Sequence, residues 1–263
     1  MLKQYRMSVI SRTRDDEKPL SEEQVNAVVS QSLPTEEYNN KEVLLIVPDA
    51  TRTAPVGQLF KAIYKQIGGS VSKLDVMIAL GTHPPMSEEA ICERLEISLV
   101  ERREEYAKVQ FHNHEWDNPD ALKEIGTIPA SEIAELSGGR FETELPVKIN
   151  RRLYEYDQVI IVGPVFPHEV VGFSGGNKYL FPGVSGPELL NFFHWLGAII
   201  SNPKIIGHKD TPVRKVIDRA GAMATIDKRC FAMVVRPDKS LAGLFFGTPE
   251  SAWDAAADLS GKT

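Results

Sequence analysis

Two histidines and a lysine beside paired glycines lie close together in the second half of the chain. His168, Lys178 and His194 fall within 27 residues, and the segment Ser174–Gly176 stands just before the lysine. Histidine carries a proton near neutral pH and can also ligate a borderline-soft metal ion. Backbone N–H groups in a glycine turn can bind an anion, while the lysine adds positive charge or reacts with an electrophile. The spacing therefore indicates anion binding combined with proton transfer.

Each of these signals has a simpler structural explanation when it stands alone. The glycine–lysine run is not the loop of nucleotide triphosphatases, because Tyr179 stands where that loop needs Ser or Thr. A glycine turn with a solvated Lys178 would explain it. His194 lies among aromatic residues in a helix pattern, which favours a histidine satisfied inside the core. His112 and His114 would share one strand face and could hold a metal, but no third ligand accompanies them.

Further polar residues follow two apolar runs in the first third of the chain. Asp49, Thr51 and Arg52 come directly after one run, and His83 follows the next. An arginine can bind a carboxylate or phosphate through two hydrogen bonds, with Asp49 orienting it and the Thr51 hydroxyl nearby. A capped turn with an internal ion pair explains the first group equally well. A solvent-exposed loop histidine is the simpler interpretation of His83 alone.

The elements that must position these residues alternate between strand and helix patterns. This alternation predicts an α/β fold with a mostly parallel sheet flanked by helices, Rossmann-like, and a late β-hairpin formed by 231–235 and 241–246. Residues 113–140 are expected to be the most irregular part. Predicted strands cover 42–47, 73–80, 109–112 and 158–162; predicted helices begin near Ser21, Val56 and Ser87 and cover 187–200 and 211–220.

The predicted order of elements brings the polar residues to one edge of the sheet. Asp49, His83 and His168 each follow a different predicted strand. In open α/β sheets, ligands bind in the crevice beyond the carboxyl ends of the strands. We therefore expect these side chains to face one shared crevice.

Composition narrows the classes of function. The 263 residues are 42% hydrophobic and 25% charged, which is ordinary for a globular protein. A net charge of −6 provides no broad basic surface and argues against nucleic acid as a partner. No run approaches the roughly 20 apolar residues of a membrane helix. With only Cys92 and Cys230 present, no disulfide framework is expected and a cytoplasmic location is predicted.

Taken together, the motifs resemble those of the nickel-dependent lactate racemase family. The resemblance implies a racemase or epimerase of a small, lactate-like 2-hydroxy acid. It implies reversible hydride transfer to a nickel-pincer nucleotide, a pyridinium mononucleotide that holds nickel through one carbon and two sulfur atoms. The matching segments, from about Glu42 onward, are Asp49-Ala50-Thr51-Arg52, Gly81-Thr82-His83, Pro167-His168, Gly172-Phe173-Ser174-Gly175-Gly176-Asn177-Lys178, Pro182-Gly183 and His194.

The resemblance also assigns roles to individual residues. Lys178 matches the lysine that binds the cofactor covalently through a thioamide, and His194 matches the histidine that completes the nickel coordination. His83 and His168 match the pair of acid/base histidines. The remaining expected site residues are Asp49 and Arg52 beside the substrate, and Thr51, Ser174, Gly175 and Gly176 beside the cofactor.

Members of that family normally have two domains with the active site between them. We expect residues 1–263 to be a single N-terminal cofactor-binding and catalytic domain, with the family's C-terminal domain absent. The expected partners are that C-terminal domain, the enzymes that make the cofactor and a 2-hydroxy acid. Expression without those enzymes would give protein lacking the cofactor. Asn177 and the aromatic run 191–195 indicate a divergent pocket, so lactate is one candidate substrate.

Two other functions remain open from the sequence. One is a non-catalytic module that binds the cofactor but requires a second domain for turnover. The other is a hydrolase whose zinc ion is bound by His83, His168 and His194, although their spacing matches no known zinc motif.

Overall fold

The computed structural model describes residues 9–14 and 18–263. Strands and helices alternate through most of this range. The strands are β1 (Ile10–Thr13), β2 (Glu42–Pro48), β3 (Lys73–Ala79), β4 (Phe111–Asn113), β5 (Leu122–Ile128), β6 (Leu145–Asn150), β7 (Gln158–Pro164), β8 (Pro167–His168), β9 (Gly172–Phe173), β10 (Lys228–Val235) and β11 (Leu241–Gly247). The α-helices are α1 (Glu22–Ser32), α2 (Val56–Ile67), α3 (Glu88–Arg94), α4 (Leu99–Glu104), α5 (Ala130–Ser137), α6 (Pro187–Ile200), α7 (Pro212–Met223) and α8 (Pro249–Ser260).

Seven of the strands form one sheet in the order β1-β11-β10-β7-β2-β3-β4. The five from β10 to β4 are parallel, whereas β11 is antiparallel to both β10 and β1. Counted along the chain, the parallel strands lie in the order 3-2-1-4-5 across the sheet, which is the Rossmann arrangement. The predicted α/β fold with a late β-hairpin is therefore confirmed.

The central strands are buried on both faces by helices. In β2, Leu44 and Ile46 contribute to the apolar cluster that includes α6, α7 and α8, whereas Val43 and Leu45 contribute to the cluster that includes α1 and α2. A strand covered on both sides has an uninterrupted apolar sequence, which is why this one was visible from its composition. None of the described helices has both the length and the apolar character needed to cross a membrane.

The expectation that 113–140 is irregular was wrong. The range contains β5 and α5, and β5 pairs antiparallel with β6 in a separate two-stranded sheet. Most of the β5 side chains are exposed or half-buried, and the register shifts between Glu124 and Gly126. A bulged, largely exposed strand lacks the apolar alternation by which a strand is recognised.

His112 and His114 do not form a metal pair. His112 lies in β4, with Nε2 at 3.6 Å from the Asp75 carboxylate. His114 lies just beyond the strand and is buried: Nε2 is 3.0 Å from the Ser185 carbonyl, and Nδ1 is 3.1 Å from Asn150 Nδ2. This arrangement fixes a neutral ring, with Nε2–H donating to the carbonyl and Nδ1 accepting from the amide. Burial lowers the pKa of His114 to about 4.

The buried His114 should make the fold sensitive to acid. Its unfolded pKa is about 6.5, so between pH 6.5 and 4 the unfolded chain binds one more proton at this residue than the folded chain. Its contribution to stability is present above pH 6.5 and decreases by about 1.4 kcal/mol per pH unit as the pH falls. Urea unfolding between pH 7 and 4 should show a shallower decline for His114→Gln. Equal slopes for the two proteins would contradict this assignment.

Candidate functional site

A cavity of about 200 Å³ lies at the carboxyl ends of β2, β3 and β7. The chain order of the sheet reverses between β2 and β7, and this switch point is where α/β sheets of this kind bind ligands. The expected shared crevice is therefore present. The sequence-predicted residues that line it are Asp49, Thr51, Arg52, His83, His168, Ser174, Gly175, Lys178 and His194.

Gly176 is the predicted site residue that does not line the cavity. Its φ is +59°, and a Cβ built there would lie 2.9 Å from the Cβ of Trp253 and 3.0 Å from the Pro249 carbonyl oxygen. Glycine is needed at this position because the backbone is left-handed and packs closely against α8.

Asp49 orients His83 across the ends of two neighbouring strands. Its Oδ2 is 2.6 Å from His83 Nδ1, while Oδ1 accepts hydrogen bonds from the Thr51 N–H at 3.2 Å and the Thr51 hydroxyl at 2.6 Å. A carboxylate at Nδ1 keeps the proton on that nitrogen and leaves a lone pair on Nε2. The His83 side chain is 52% exposed, against 9% for Asp49. The pair therefore presents an oriented base at the mouth of the cavity.

Arg52 is free of the ion pair with Asp49 that the sequence suggested. In the described part of the chain, the polar partners of the Asp49 carboxylate are His83 and Thr51. The Arg52 guanidinium instead lies over the ring of Phe166, 5.6 Å from its centroid. This contact leaves the N–H groups of Arg52 available for an anion in the cavity.

His168 enters the cavity from β8 and is buried. Its Nδ1 accepts a hydrogen bond from the Val170 N–H at 3.1 Å, so the neutral ring carries its proton on Nε2. Burial and the nearby cations, chiefly Lys178 and then Arg52, lower the pKa of His168 to about 3. The two histidines thus differ, since His83 offers a lone pair at Nε2 whereas His168 offers a hydrogen-bond donor there.

Lys178 lies in the 3-10 turn Gly176–Tyr179 that follows β9, and it is half-buried. Burial is the main cause that lowers the pKa of its ammonium to about 7, with Arg52 and Arg214 adding positive charge nearby. Glu169 and Asp49 act in the opposite direction. At neutral pH a large fraction of this amine is therefore uncharged, which is the reactive form of a lysine.

Ser174 and Arg214 hold the segment that leads to Lys178. The Ser174 hydroxyl donates to the Pro164 carbonyl at 3.2 Å and accepts from the Phe166 N–H at 3.0 Å, so it braces the loop although it also lines the cavity. Arg214, on α7, was not predicted as a functional residue. The sequence did carry one signal of its role: the arginine falls on the apolar face of a predicted helix, and a charged side chain is seldom buried there unless it is paired.

His194 lies within α6, as predicted, but its interpretation as a core histidine was wrong. Its side chain is exposed and lines the cavity, with its ring edge against Phe193 at 4.6 Å between centroids. Partial burial and the Lys178 ammonium lower the pKa of His194. A neutral imidazole is the form that binds a metal ion.

Within 9–14 and 18–263, no group of three or more His, Cys, Asp or Glu side chains is placed to hold a metal ion. The three-histidine zinc site of the hydrolase alternative is therefore not formed. A metal at His194 would need its other ligands from outside these residues.

A larger groove of about 890 Å³ adjoins the cavity and shares Thr82 and His83 with it. Polar side chains and Trp116 line much of this groove. Space for a ligand therefore extends from His83 away from Lys178.

The sequence matches a family described as the lactate racemase N-terminal domain over residues 1–206. A lactate racemase from Thermoanaerobacterium thermosaccharolyticum is 27% identical over 165 residues, covering 62% of this chain and 34% of that protein. A lactate racemase from Lactiplantibacillus plantarum is 23% identical over 271 residues, covering 97% of this chain and 58% of that protein.

Two solved structures are also similar. A Thermotoga maritima protein superposes with a TM-score of 0.84 at 32% identity, covering 95% of this chain and 61% of that one. The lactate racemase apoprotein from T. thermosaccharolyticum gives 0.70 at 21% identity, covering 96% and 62%, a likeness of fold. The chain spans less than two thirds of the length of each of these relatives. Because the family match extends over most of the chain, this protein belongs to the family of lactate racemase N-terminal domains.

Proposed function

We propose that this chain binds a nickel-pincer nucleotide and racemises or epimerises a small 2-hydroxy acid. The observation that carries the proposal is the meeting of four groups around one cavity: the amine of Lys178, the imidazole of His194, and His83 and His168 from different strand ends. Membership in the lactate racemase family supports the same class of reaction.

The residues present fit this cofactor. The partly uncharged Lys178 can form an amide-type bond with a thioacyl group, and the positive charges of Arg52 and Arg214 near it favour an anionic nucleotide. His194 can supply one nitrogen ligand, and a group that brings its own carbon and sulfur ligands explains why no larger protein cluster is required. When bound, the cofactor supplies the acceptor for the substrate hydride.

The protein's own residues would then orient the substrate and move one proton. Arg52 binds the substrate carboxylate through its free N–H groups. His83 Nε2 takes the hydroxyl proton of one enantiomer. His168 serves the other enantiomer in its second tautomer, because the hydroxyls of the two enantiomers point in different directions. In that tautomer the proton lies on Nδ1 beside Glu169 Oε2, at 3.5 Å, the hydrogen bond from the Val170 N–H is given up, and Nε2 carries the lone pair. The two directions of inversion thus begin with different histidines.

The low pKa of His168 belongs to the cavity without ligands. If Lys178 held the cofactor covalently, its nitrogen would be uncharged, so the positive charge that acts most strongly on the His168 imidazole would be absent, and a bound carboxylate would add a negative one. Both changes raise the pKa of His168 towards the range in which it can accept a proton at neutral pH.

A second function is favoured by the openness of the site. His83 and His194 are exposed, and the relatives contain a further portion that this chain does not match. Under this second function, the chain binds the cofactor but turns over substrate only after a separate domain closes over the cavity.

We expect protein produced with the cofactor-making enzymes to invert the 2-carbon of 2-hydroxy acids. Because the groove beside His83 leaves room beyond the 2-carbon, acids with side chains longer than that of lactate should also react. Chiral chromatography of a substrate series, with and without the unmatched domain of a relative, separates the two functions. Inversion by the chain alone excludes the second function. Inversion in neither mixture, with cofactor verified as bound, overturns both.

A further inference from the structure

The segment before the turn that carries Lys178 accepts hydrogen bonds from one side chain of α7 and one of α8. The Arg214 guanidinium donates hydrogen bonds to the carbonyls of Phe173 and Gly175, the latter at 3.3 Å. Trp253 Nε1–H donates to the carbonyl between them, that of Ser174, at 2.9 Å. Three consecutive carbonyls before the turn are thus fixed by two side chains.

Asn177 adds a further attachment inside the turn itself. Its amide donates to Asp218 at 3.1 Å and to Glu250 at 2.8 Å, one carboxylate from α7 and one from α8. Asn177 therefore points away from the cavity while its neighbour Lys178 lines it. The sequence had suggested that Asn177 alters the pocket directly, whereas the structure gives it this supporting position.

The Arg214 guanidinium is buried without a closely paired carboxylate, an arrangement that does not by itself stabilise the fold. It is 3% exposed, and among residues 9–14 and 18–263 its nearest carboxylate oxygen, on Asp218, is 3.8 Å away and its Nε–H has no acceptor. The guanidinium stacks on Trp253 at 4.2 Å. Burying a charge without close pairing costs stability, and such groups concentrate at functional sites.

We propose that Arg214 is a positioning residue for Lys178: its hydrogen bonds fix the turn that carries the lysine, and its buried charge keeps the amine reactive. This deepens the role given above to Lys178, but it concerns the chain without cofactor. Its failure and the failure of the proposed function can therefore be distinguished.

Other charges also act on Lys178 and must be controlled. Arg52, beyond β2, adds positive charge, while Asp49 at the same strand end and Glu169 beyond β8 add negative charge. The imidazoles of His168 and His194 complete the surroundings. All of these remain unchanged when only Arg214 is replaced, so a change in Lys178 reactivity reports on Arg214.

Trace acetylation with acetic anhydride measures this reactivity. The neutral amine attacks one carbonyl, an amide forms, acetate leaves and the amine proton passes to the buffer. Peptide mass spectrometry from pH 6 to 10 gives the Lys178 rate, with the exposed Lys65, on α2, as the reference between variants at each pH. The wild-type rate should be half-maximal at about pH 7.

The variants should separate charge from packing. Arg214→Gln should raise the midpoint for Lys178 by about 1 pH unit and lower its rate at pH 7 several-fold. Arg214→Lys should restore the wild-type midpoint. Arg219→Gln, on the same helix but paired with Glu132, should change neither quantity. Asp218→Asn, which keeps an acceptor for Asn177, should lower the midpoint because it unmasks the Arg214 charge.

Circular dichroism and thermal unfolding establish that each variant is folded. If Arg214→Gln does not fold, the downward shift in Asp218→Asn decides the question. An unchanged midpoint in a folded Arg214→Gln, or equal midpoints for the Gln and Lys variants, would reduce Arg214 to a structural role and overturn the proposal.

Discussion

Lys178→Met, produced together with the cofactor-making enzymes, is expected to carry no added mass, whereas the wild-type chain gains the mass of the nucleotide at this residue. Lys178 is the lysine that lines the cavity, and its lowered pKa of about 7 makes it nucleophilic under cellular conditions. Inversion of a 2-hydroxy acid should fall to background. Intact-mass and peptide mass spectrometry measure the attachment directly.

Two comparison variants locate the effect. Lys209→Met removes a lysine bound to Asp254 and Asp258 on the surface, and its added mass should equal that of the wild type. His194→Ala should retain the added mass but lose nickel, measured by elemental analysis. Added mass that persists in Lys178→Met would show that attachment is elsewhere and would remove the chemical basis of the proposed function.

The parts of the fold that follow from local rules were visible in the sequence. The run 43–47 is apolar throughout because β2 is buried on both faces. The predicted helix start near Ser21 is correct: Ser21 caps α1, and its reciprocal hydrogen bonds with Gln24 form a capping box, at 3.2 and 2.9 Å. In both places the signal lies within a few residues, so tertiary context was not needed.

The parts that depend on distant pairing were not visible. β1 is a four-residue edge strand with mostly exposed side chains that pairs with β11, more than 200 residues later. β5 becomes a strand because β6 provides its partner, despite a sequence with little apolar alternation. Strands at an edge take their structure from the neighbour rather than from their own composition.

The candidate site also has features that local sequence signals predicted and features that depend on distant contacts. The rule for strand ends predicted that Asp49, His83 and His168 would face one crevice, and all three line the cavity. The pairing inside the cavity was not predicted correctly, because Asp49 bonds to a residue 34 positions away rather than to nearby Arg52. That contact exists because β2 and β3 are parallel neighbours of matched register. The position of Arg214 could not be predicted either, because it depends on how α7 packs against the turn that carries Lys178.

Asp49→Asn is expected to lower kcat/KM for inversion by about 10³- to 10⁴-fold, because it reverses the tautomer of His83. The Thr51 backbone N–H can only donate, so it requires an oxygen at the position of Asp49 Oδ1. An asparagine must therefore turn its amide nitrogen towards His83 Nδ1, which then accepts. The proton moves to Nε2, and the lone pair that serves as the base is lost.

The equilibrium constant of a racemisation fixes how this variant can affect kcat/KM in the two directions. Two enantiomers have equal free energy, so kcat/KM must fall by the same factor in both directions, even though only one direction begins at His83. Separate kcat values and solvent isotope effects for the two enantiomers should differ, because His168 remains intact.

The tautomer itself can be observed without cofactor or turnover. Long-range nitrogen–proton correlations of the His83 ring should report Nδ1–H in the wild type and Nε2–H in Asp49→Asn. Thr51→Val removes the hydroxyl bond to Oδ1 but keeps the backbone donor, so its tautomer should be unchanged and its activity loss below about tenfold. Retained activity in Asp49→Asn despite a reversed tautomer would exclude His83 as the base, since no lone pair would then face the substrate.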